Sequence, residues 1–269
     1  MFEQFDNYVD KIYINGNALL ESGALDEAIA CYNQALFLDE SFTCAMFYKG
    51  VALVNLKRYD EALCCYDMLL DIDPSDTGVL ERKGIALIDV NRYEEALKCY
   101  NRLLEIEPGN SRAYLKIGHI YQIYGNYKEA LTYFDKSIEL NPLEKTAWYF
   151  KGLVLAEQGL ISTIKHKFVE SLKCIDKALE LDPLDPDLLK DRAKVLINVG
   201  DTERSLICYL KAYSIAPDDP VIISALAKLY RKLGQFNESL YYYKKLLEIQ
   251  SDNSLVMEIE YVKSRINKN

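Results

Sequence analysis

Five glycines recur along the chain at one fixed interval. Each lies 34 residues after the last: Gly16, Gly50, Gly84, Gly118 and Gly152. A fold with one compact core does not require a fixed sequence period, whereas an array of one repeated supersecondary unit does require it. The period therefore predicts a solenoid, in which each unit packs only on its neighbours and 269 residues need not divide into several cores.

Other residue types share the period. With each glycine counted as position 8 of a unit, small residues fill position 20, aromatic residues fill position 24 and prolines fill position 32. They are Ala28, Ala62, Ala96 and Ala130, then Tyr32, Tyr66, Tyr100 and Phe134, then Pro74, Pro108 and Pro142. Apolar residues within a unit recur at steps of three or four, which is typical of helices. Each unit is therefore predicted to be two antiparallel helices, with small residues where the backbones approach.

Glycine, proline and aspartate residues at particular repeat positions predict where these helices begin and end. Glycine at position 15 should end the first helix of a unit, at Gly23, Gly125, Gly159, Gly200 and Gly234. Asp185 before Pro186, and Asp219 before Pro220, are typical of an N-cap followed by a proline in the first helical position. Seven extra residues separate Gly159 from Phe168. We expect them to lengthen the second helix of unit five, as a tolerated surface insertion or as an extra contact edge at 160–167.

The complete pattern resembles the tetratricopeptide repeat. The resemblance covers most of the chain and implies an all-α, right-handed α-α superhelix, with seven helix-turn-helix repeats and a C-terminal capping helix. A single array over residues 1–269 is expected. Its repeats should span 9–42, 43–76, 77–110, 111–144, 145–185 with the seven-residue insertion, 186–219 and 220–253, before a capping helix at 254–269.

The resemblance further implies that the first helices line a concave groove. The groove residues would be Tyr13, Asn17, Phe47, Tyr48, Val51, Arg82, Ile85, Arg112, Leu115, Lys116, His119, Tyr149, Phe150, Leu153, Lys190 and Lys194. Apolar anchors around a basic centre predict a bound peptide or partner helix that carries an acidic group. The alternative is that the aromatic residues pack on adjacent first helices and the charged residues are only solvated.

One specialised groove of the family is not complete in this sequence. Chaperone-binding members hold a terminal carboxylate with a set of lysine, arginine and asparagine residues at fixed repeat positions. Here Phe47 and Val51 occupy positions 5 and 9 of unit two, and Arg82 occupies position 6 of unit three. Capture of a chaperone tail is therefore not expected.

Charge and cysteine usage exclude several classes of protein. The net charge is −9, which argues against nucleic acid or an anionic membrane as the main partner, and no apolar run suggests membrane insertion. Five of the seven cysteines recur at position 23, so they are expected to be apolar fillers and not metal ligands or disulfides. Free thiols and the absence of a secretory signal predict a cytoplasmic protein.

No catalytic pattern is present. The two histidines, His119 and His166, lie far apart, and the common nucleotide-binding and zinc-protease motifs are missing. We expect no cofactor, no metal site and no enzyme activity. The favoured function is a protein-protein interaction scaffold. The alternatives are a helical-repeat RNA-binding protein and a regulatory subunit of an enzyme complex, and self-association through the N-terminal face stays open.

Overall fold

The structure is a computed structural model that describes the backbone of residues 2–250 and 253–267, and side chains within 8–250 and 254–267. In this part of the chain it contains fifteen α-helices and no strand. Residues 251–252 of the predicted seventh repeat, and 268–269 of the predicted capping helix, lie outside the described residues. The chain separates into two compact units, Met1–Gly125 and Asn126–Asn269.

The first unit contains seven helices, in which α1/α2, α3/α4 and α5/α6 form the helix pairs of three repeats. Their bounds are α1 (Phe2–Ser22), α2 (Leu25–Leu38), α3 (Thr43–Asn55), α4 (Tyr59–Ile72), α5 (Thr77–Asp89), α6 (Tyr93–Ile106) and α7 (Ser111–Ile123). The first helices of consecutive repeats touch as well, since α1 contacts α3 and α3 contacts α5.

The second unit contains α8, then the pairs α9/α10, α11/α12 and α13/α14, then α15. Their bounds are α8 (Tyr127–Leu140), α9 (Lys145–Ser162), α10 (Lys165–Leu181), α11 (Pro186–Val199), α12 (Thr202–Ile215), α13 (Pro220–Lys232), α14 (Phe236–Ile249) and α15 (Asn253–Ile266). The last helix packs on α14 and buries Leu255, Ile259 and Val262.

In every repeat except the fifth, the turn between the two helices uses a left-handed residue at position 15. Gly23, Gly125, Gly200 and Gly234 all have positive φ, which confirms the predicted helix ends. In the second and third repeats the same conformation is taken by Lys57, with φ 60°, and by Asn91, with φ 61°. Two N–H groups close the turn, as where Lys57 donates to the Val54 carbonyl at 2.8 Å and Arg58 to the Leu53 carbonyl at 2.8 Å.

The repeat positions 8 and 24 fit each other closely. A Cβ placed on Gly50 would lie 2.6 Å from the Tyr66 ring, and one on Gly84 would lie 2.6 Å from the Tyr100 ring. Both tyrosine side chains are fully buried. In these two repeats a side chain at position 8 would collide with the aromatic ring, which explains why glycine and tyrosine recur together there.

The second unit joins its helix pairs in a different way. In the pairs α9/α10, α11/α12 and α13/α14, position 20 is serine, and its hydroxyl donates to the carbonyl of position 8 on the facing helix. The distances are 2.7 Å from Ser171 to Gly152, 2.9 Å from Ser205 to Ala193 and 2.9 Å from Ser239 to Ala227. The three serines are completely buried, so these bonds satisfy polar groups that would otherwise be costly.

The N-caps hold the first helices at their starting residues. Asp185 accepts hydrogen bonds from the N–H groups of Asp187 and Leu188, and Asp219 from those of Val221 and Ile222. Pro186 and Pro220 follow in the first helical position. Both predicted helix starts are therefore confirmed. Asp76 and Asn110 cap α5 and α7 with one hydrogen bond each, from the N–H groups of Val79 and Ala113.

The insertion corrects one prediction. Gly159 does not end its helix, because α9 continues to Ser162 and the left-handed residue is Thr163, with φ 56°. The second helix does begin early, at Lys165, but the extra residues lengthen both helices of the hairpin. The physical reason is a contact across the longer hairpin, where a Cβ on Gly159 would lie 3.0 Å from the Phe168 ring. Gly159 therefore serves close packing, whereas the other position-15 glycines serve the turn.

Candidate functional site

Aromatic side chains of α1, of α3 and of the N-cap residue before α3 form a contiguous group. We call it the aromatic cluster: Tyr13, Phe42, Phe47 and Tyr48. Ring centroids are 5.2 Å apart for Tyr13 and Phe42, 5.9 Å for Tyr13 and Tyr48, and 5.3 Å for Phe47 and Tyr48. Tyr48 remains 36% exposed. The predicted aromatic groove residues of the first two repeats are thus brought together, and they pack on one another as well as facing solvent.

Two further predicted residues border this cluster. Asn17 accepts a hydrogen bond of 2.8 Å from the Tyr32 hydroxyl, so its side chain is held in place by the repeat core. Val51 is half-buried on the same helix as Phe47. Burial raises the pKa of Tyr13, although a hydrogen bond with Asn17 opposes the shift.

The predicted basic centre of the first unit is partly neutralised by the chain itself. Arg112 on α7 forms an ion pair of 2.9 Å with Glu81 on α5, while Arg82 is exposed. Lys116 and His119 follow on α7, and burial together with the nearby Lys116 charge lowers the pKa of His119. His119 is therefore neutral at physiological pH. Ile85 is half-buried and Leu115 buried beside these polar groups.

The predicted groove residues of the second unit lie on α9 and α11. The Tyr149 hydroxyl donates to Asp191 at 2.6 Å, and Phe150 stacks on Phe134 with centroids 6.0 Å apart. Leu153 is half-buried one turn further along α9. These side chains are therefore positioned by fixed partners inside the unit.

The two predicted lysines of α11 have carboxylate partners. Lys194 pairs with Asp191 at 2.7 Å. Lys190 pairs with Asp187 at 2.7 Å and with Asp219, the N-cap of α13, at 2.9 Å. Burial lowers the pKa of Lys190, but the hydrogen bonds to its two carboxylates outweigh burial and raise it. Lys190 thus links consecutive repeats, a role that its groove position in the sequence did not indicate.

Another set of ion pairs between repeats was missed at the sequence level. An aspartate at position 25 of one repeat meets a basic residue at position 7 of the next, sixteen residues later. This occurs from the second to the third repeat, from the fourth to the fifth and from the fifth to the sixth. The pairs are Asp67 with Lys83, Asp135 with Lys151 at 2.5 Å and Asp176 with Arg192 at 2.6 Å. The recurrent spacing is the signal that could have found them.

The seventh repeat carries the feature that sequence reasoning overlooked. Two overlapping clefts of about 530 and 1,090 Å³ share Ser224, Lys228, Lys232 and Gln250. The first three are positions 5, 9 and 13 of the repeat, which are groove positions by the same count. We call the combined depression the C-terminal cleft. Ile197 on α11 lines one part, and Met257 and Tyr261 on α15 line the other.

The described residues offer no metal centre and no membrane span. No group of three or more histidine, cysteine or acidic side chains within them is placed to hold a metal ion. None of the described helices has the length and apolar character needed to cross a bilayer. All seven cysteines are free thiols, and burial raises the pKa of Cys65, Cys99 and Cys174.

Comparison with protein families matches four stretches of the chain. Models described as "Tetratricopeptide repeat" match residues 15–77 and 111–142, one described as "TPR repeat" matches 84–122, and one described as "YpiA-like, tetratricopeptide repeats" matches 202–251. Together with the helix pairs and their glycine-tyrosine crossings, these matches identify the chain as a member of the tetratricopeptide repeat family. Among curated proteins, no sequence matches the chain.

Solved structures share the fold at low sequence identity. A tetratricopeptide repeat protein of Parabacteroides merdae is 18% identical with a TM-score of 0.68, covering 94% of this chain and 98% of its own. Pseudomonas aeruginosa PilF is 16% identical with a TM-score of 0.67, covering 81% and 96%. YrrB, described as a TPR protein with an unusual peptide-binding site, is 22% identical with a TM-score of 0.54, covering 72% and 96%. The likeness establishes an all-α helical-repeat fold.

Proposed function

We propose that the chain is a noncatalytic interaction scaffold that binds a peptide or a helix of a partner protein against the first helices of its repeats. The observation that supports this best is the aromatic cluster. Its rings are fixed by edge-to-face contacts before any partner arrives, and Tyr48 is still 36% exposed. A rigid aromatic surface loses little conformational entropy on binding, which is typical of binding hot spots.

The surroundings of the cluster suit a peptide better than a small substrate. Half-buried Val51 extends the apolar surface along α3, and exposed Arg82 on α5 adds a cation. Within the described residues, no group of three or more histidine, cysteine or acidic side chains is placed to hold a metal ion. YrrB, which shares the fold, has a peptide-binding site, and we propose one for this chain. The net charge of −9 disfavours nucleic acid as the partner.

We also propose that the protein works in the cytoplasm. All seven cysteines are unpaired, and Cys44 and Cys64 are exposed. Exposed thiols persist in a reducing compartment and are oxidised or paired outside it.

Affinity capture with a matched pair of variants tests the proposed function. Tyr48→Asp with Arg82→Glu alters the first-helix face, whereas Phe37→Asp with Lys98→Glu makes equivalent changes on α2 and α6, where Phe37 is 86% exposed. Proteins captured from a lysate by immobilised wild type should be retained by the second variant and lost from the first. Loss from both or neither, with unchanged thermal melts, would contradict binding at this face.

A further inference from the structure

The C-terminal cleft is a second, chemically distinct surface on the first helices. Its two parts meet along α13, where Ser224, Lys228 and Lys232 follow one another at steps of four residues and so share one helix face. The part between α11 and α13 measures about 530 Å³, within the range of about 300–1,000 Å³ that is common for ligand clefts.

The floor and rim of the cleft are apolar and uncovered. Val221 is 52% exposed, Met257 68% and Tyr261 50%, while Ala225 and Leu229 lie deeper. Tyr261 has the Arg231 guanidinium 5.8 Å from its ring centroid, which holds the ring in place. Removing these side chains from water would stabilise a complex with an apolar residue of a partner.

The charges at the cleft are unbalanced. Lys228 and Lys232 form no ion pair with any described residue, although Arg231 beside them is paired with Glu258. In contrast, Lys145, Lys190 and Lys194 on the other first helices of this unit all have aspartate partners. Two lysines with no carboxylate partner among the described residues are notable in a chain with a net charge of −9. Charge complementarity therefore favours a carboxylate as the missing partner.

We infer that the C-terminal cleft binds a segment of a partner protein in which an aspartate or glutamate lies next to a large apolar residue. The acidic side chain pairs with Lys228 and Lys232, and the apolar side chain enters the cleft beside Val221 or Met257. This inference rests on the proposed function and adds to it the location and chemistry of one binding site.

Selection from a random peptide library tests the inference. The peptides are displayed with blocked C-termini, so that only side-chain carboxylates are present. Wild type is compared with Lys228→Glu/Lys232→Glu and with Lys211→Glu/Lys244→Glu. The second double variant makes the same charge change on α12 and α14, where both lysines are exposed and outside the cleft. Wild type and the α12/α14 variant should enrich peptides with an acid beside leucine, isoleucine or phenylalanine. The cleft variant should lose that preference.

Affinity measurements on one enriched peptide complete the test. Replacing its acid by the matching amide should weaken binding to wild type about tenfold, equivalent to about 1.4 kcal/mol, and should not weaken binding to the cleft variant. Enrichment of apolar peptides without acids would overturn the inference and leave the proposed function standing. No enrichment at all would also overturn it, while the lysate capture with the α3/α5 variant decides the proposed function separately.

Discussion

The glycine at position 8 determines how closely the two helices of a repeat approach each other. Gly50 faces the fully buried Tyr66 ring, and Gly109, in the turn before α7, has no atom within 4 Å of an added Cβ. Both glycines lie in the compact unit Met1–Gly125, but their surroundings differ. The same substitution should therefore affect them differently.

Gly50→Ala should destabilise the protein, whereas Gly109→Ala should not. A methyl group 2.6 Å from the Tyr66 ring forces the helices apart, at a cost of about 1–3 kcal/mol, and the better helix propensity of alanine recovers up to about 1 kcal/mol. We expect a net loss of about 1–2 kcal/mol for Gly50→Ala in urea unfolding. An equal or higher stability than wild type would contradict the close crossing.

Lys57→Gly and Asn91→Gly should each stabilise the protein. Both positions have positive φ, 60° and 61°, where a side chain costs energy that glycine avoids. The expected gain is about 1 kcal/mol for Lys57 and less for Asn91, because asparagine tolerates this conformation better. Lys57→Ala is the control and should bring no gain. Thermal melts that fall for both glycine variants would contradict the turn geometry.

At the scale of helices, the repeat period predicts most helix ends but not the hairpin at the insertion. The period predicts these helix ends because the same residue types make the same local contacts in each repeat, as Asp185 and Asp219 do when they cap α11 and α13. It fails at Gly159 because a glycine can serve a turn or a close contact, and the contact with Phe168 exists only once the hairpin is assembled. Nor could the period reveal that Lys190 bridges to Asp219, which depends on how α11 and α13 are placed.

Deleting residues 160–166 should leave the fold intact. The deletion restores one residue between Gly159 and Phe168, as in the other repeats, and removes side chains that are mainly exposed, including Leu160 at 58% and Ile161 at 71%. The deletion shortens both helices of the hairpin and restores the spacing in which the second helix begins at position 17, as α4 does at Tyr59. Deletion of 160–163 alone leaves three extra residues and serves as the comparison. Equal destabilisation of the two deletions in thermal melts would contradict this account.

Acid should weaken the junction between α11 and α13 through Asp219. Burial raises the pKa of Asp219, but the hydrogen bonds from Lys190 and from the N–H groups of Val221 and Ile222 outweigh it, so the pKa is lowered. A lowered folded-state pKa stabilises the protein above the unfolded value of about 3.9, and this stabilisation is lost as the pH falls through the folded value.

Asp219→Asn should therefore cost about 1 kcal/mol at pH 7 in urea unfolding, and the cost should shrink as the pH falls below about 4. Asp218→Asn is the matched control, since its side chain is 85% exposed, and it should change little at either pH. A cost for Asp219→Asn that stays constant down to the lowest pH would show that the carboxylate charge does not matter.

At the scale of the whole chain, the sequence predicts the class of protein and the helices that carry a surface, but not which parts of that surface are available. Several predicted cations, such as Arg112 and Lys194, have carboxylate partners within their own unit. Lys228 occupies the same repeat position as Lys194, yet neither Lys228 nor Lys232 has such a partner among the described residues. Pairing depends on side-chain placement between helices, so the sequence period alone could not separate the two sets.

The acidic chain should not bind single-stranded RNA. Binding of the phosphate backbone requires several cations without carboxylate partners. The two lysines of the C-terminal cleft are too few, and the net charge of −9 repels a polyanion. Fluorescence anisotropy of a labelled mixed-sequence RNA should show no saturable binding at about 0.15 M salt. Saturable, salt-sensitive binding that is abolished by Lys228→Glu/Lys232→Glu would favour the RNA alternative and contradict peptide binding at that cleft.

Hydrogen-deuterium exchange of the protein, alone and with a captured partner, tests the central claim most directly. Binding along the first helices predicts added protection in α1, α3 and α5, or in α11, α13 and α15, with α2, α4, α6, α12 and α14 unchanged. Protection confined to those second helices, or to the hairpin end at 160–167, would contradict the account and move the interaction surface there.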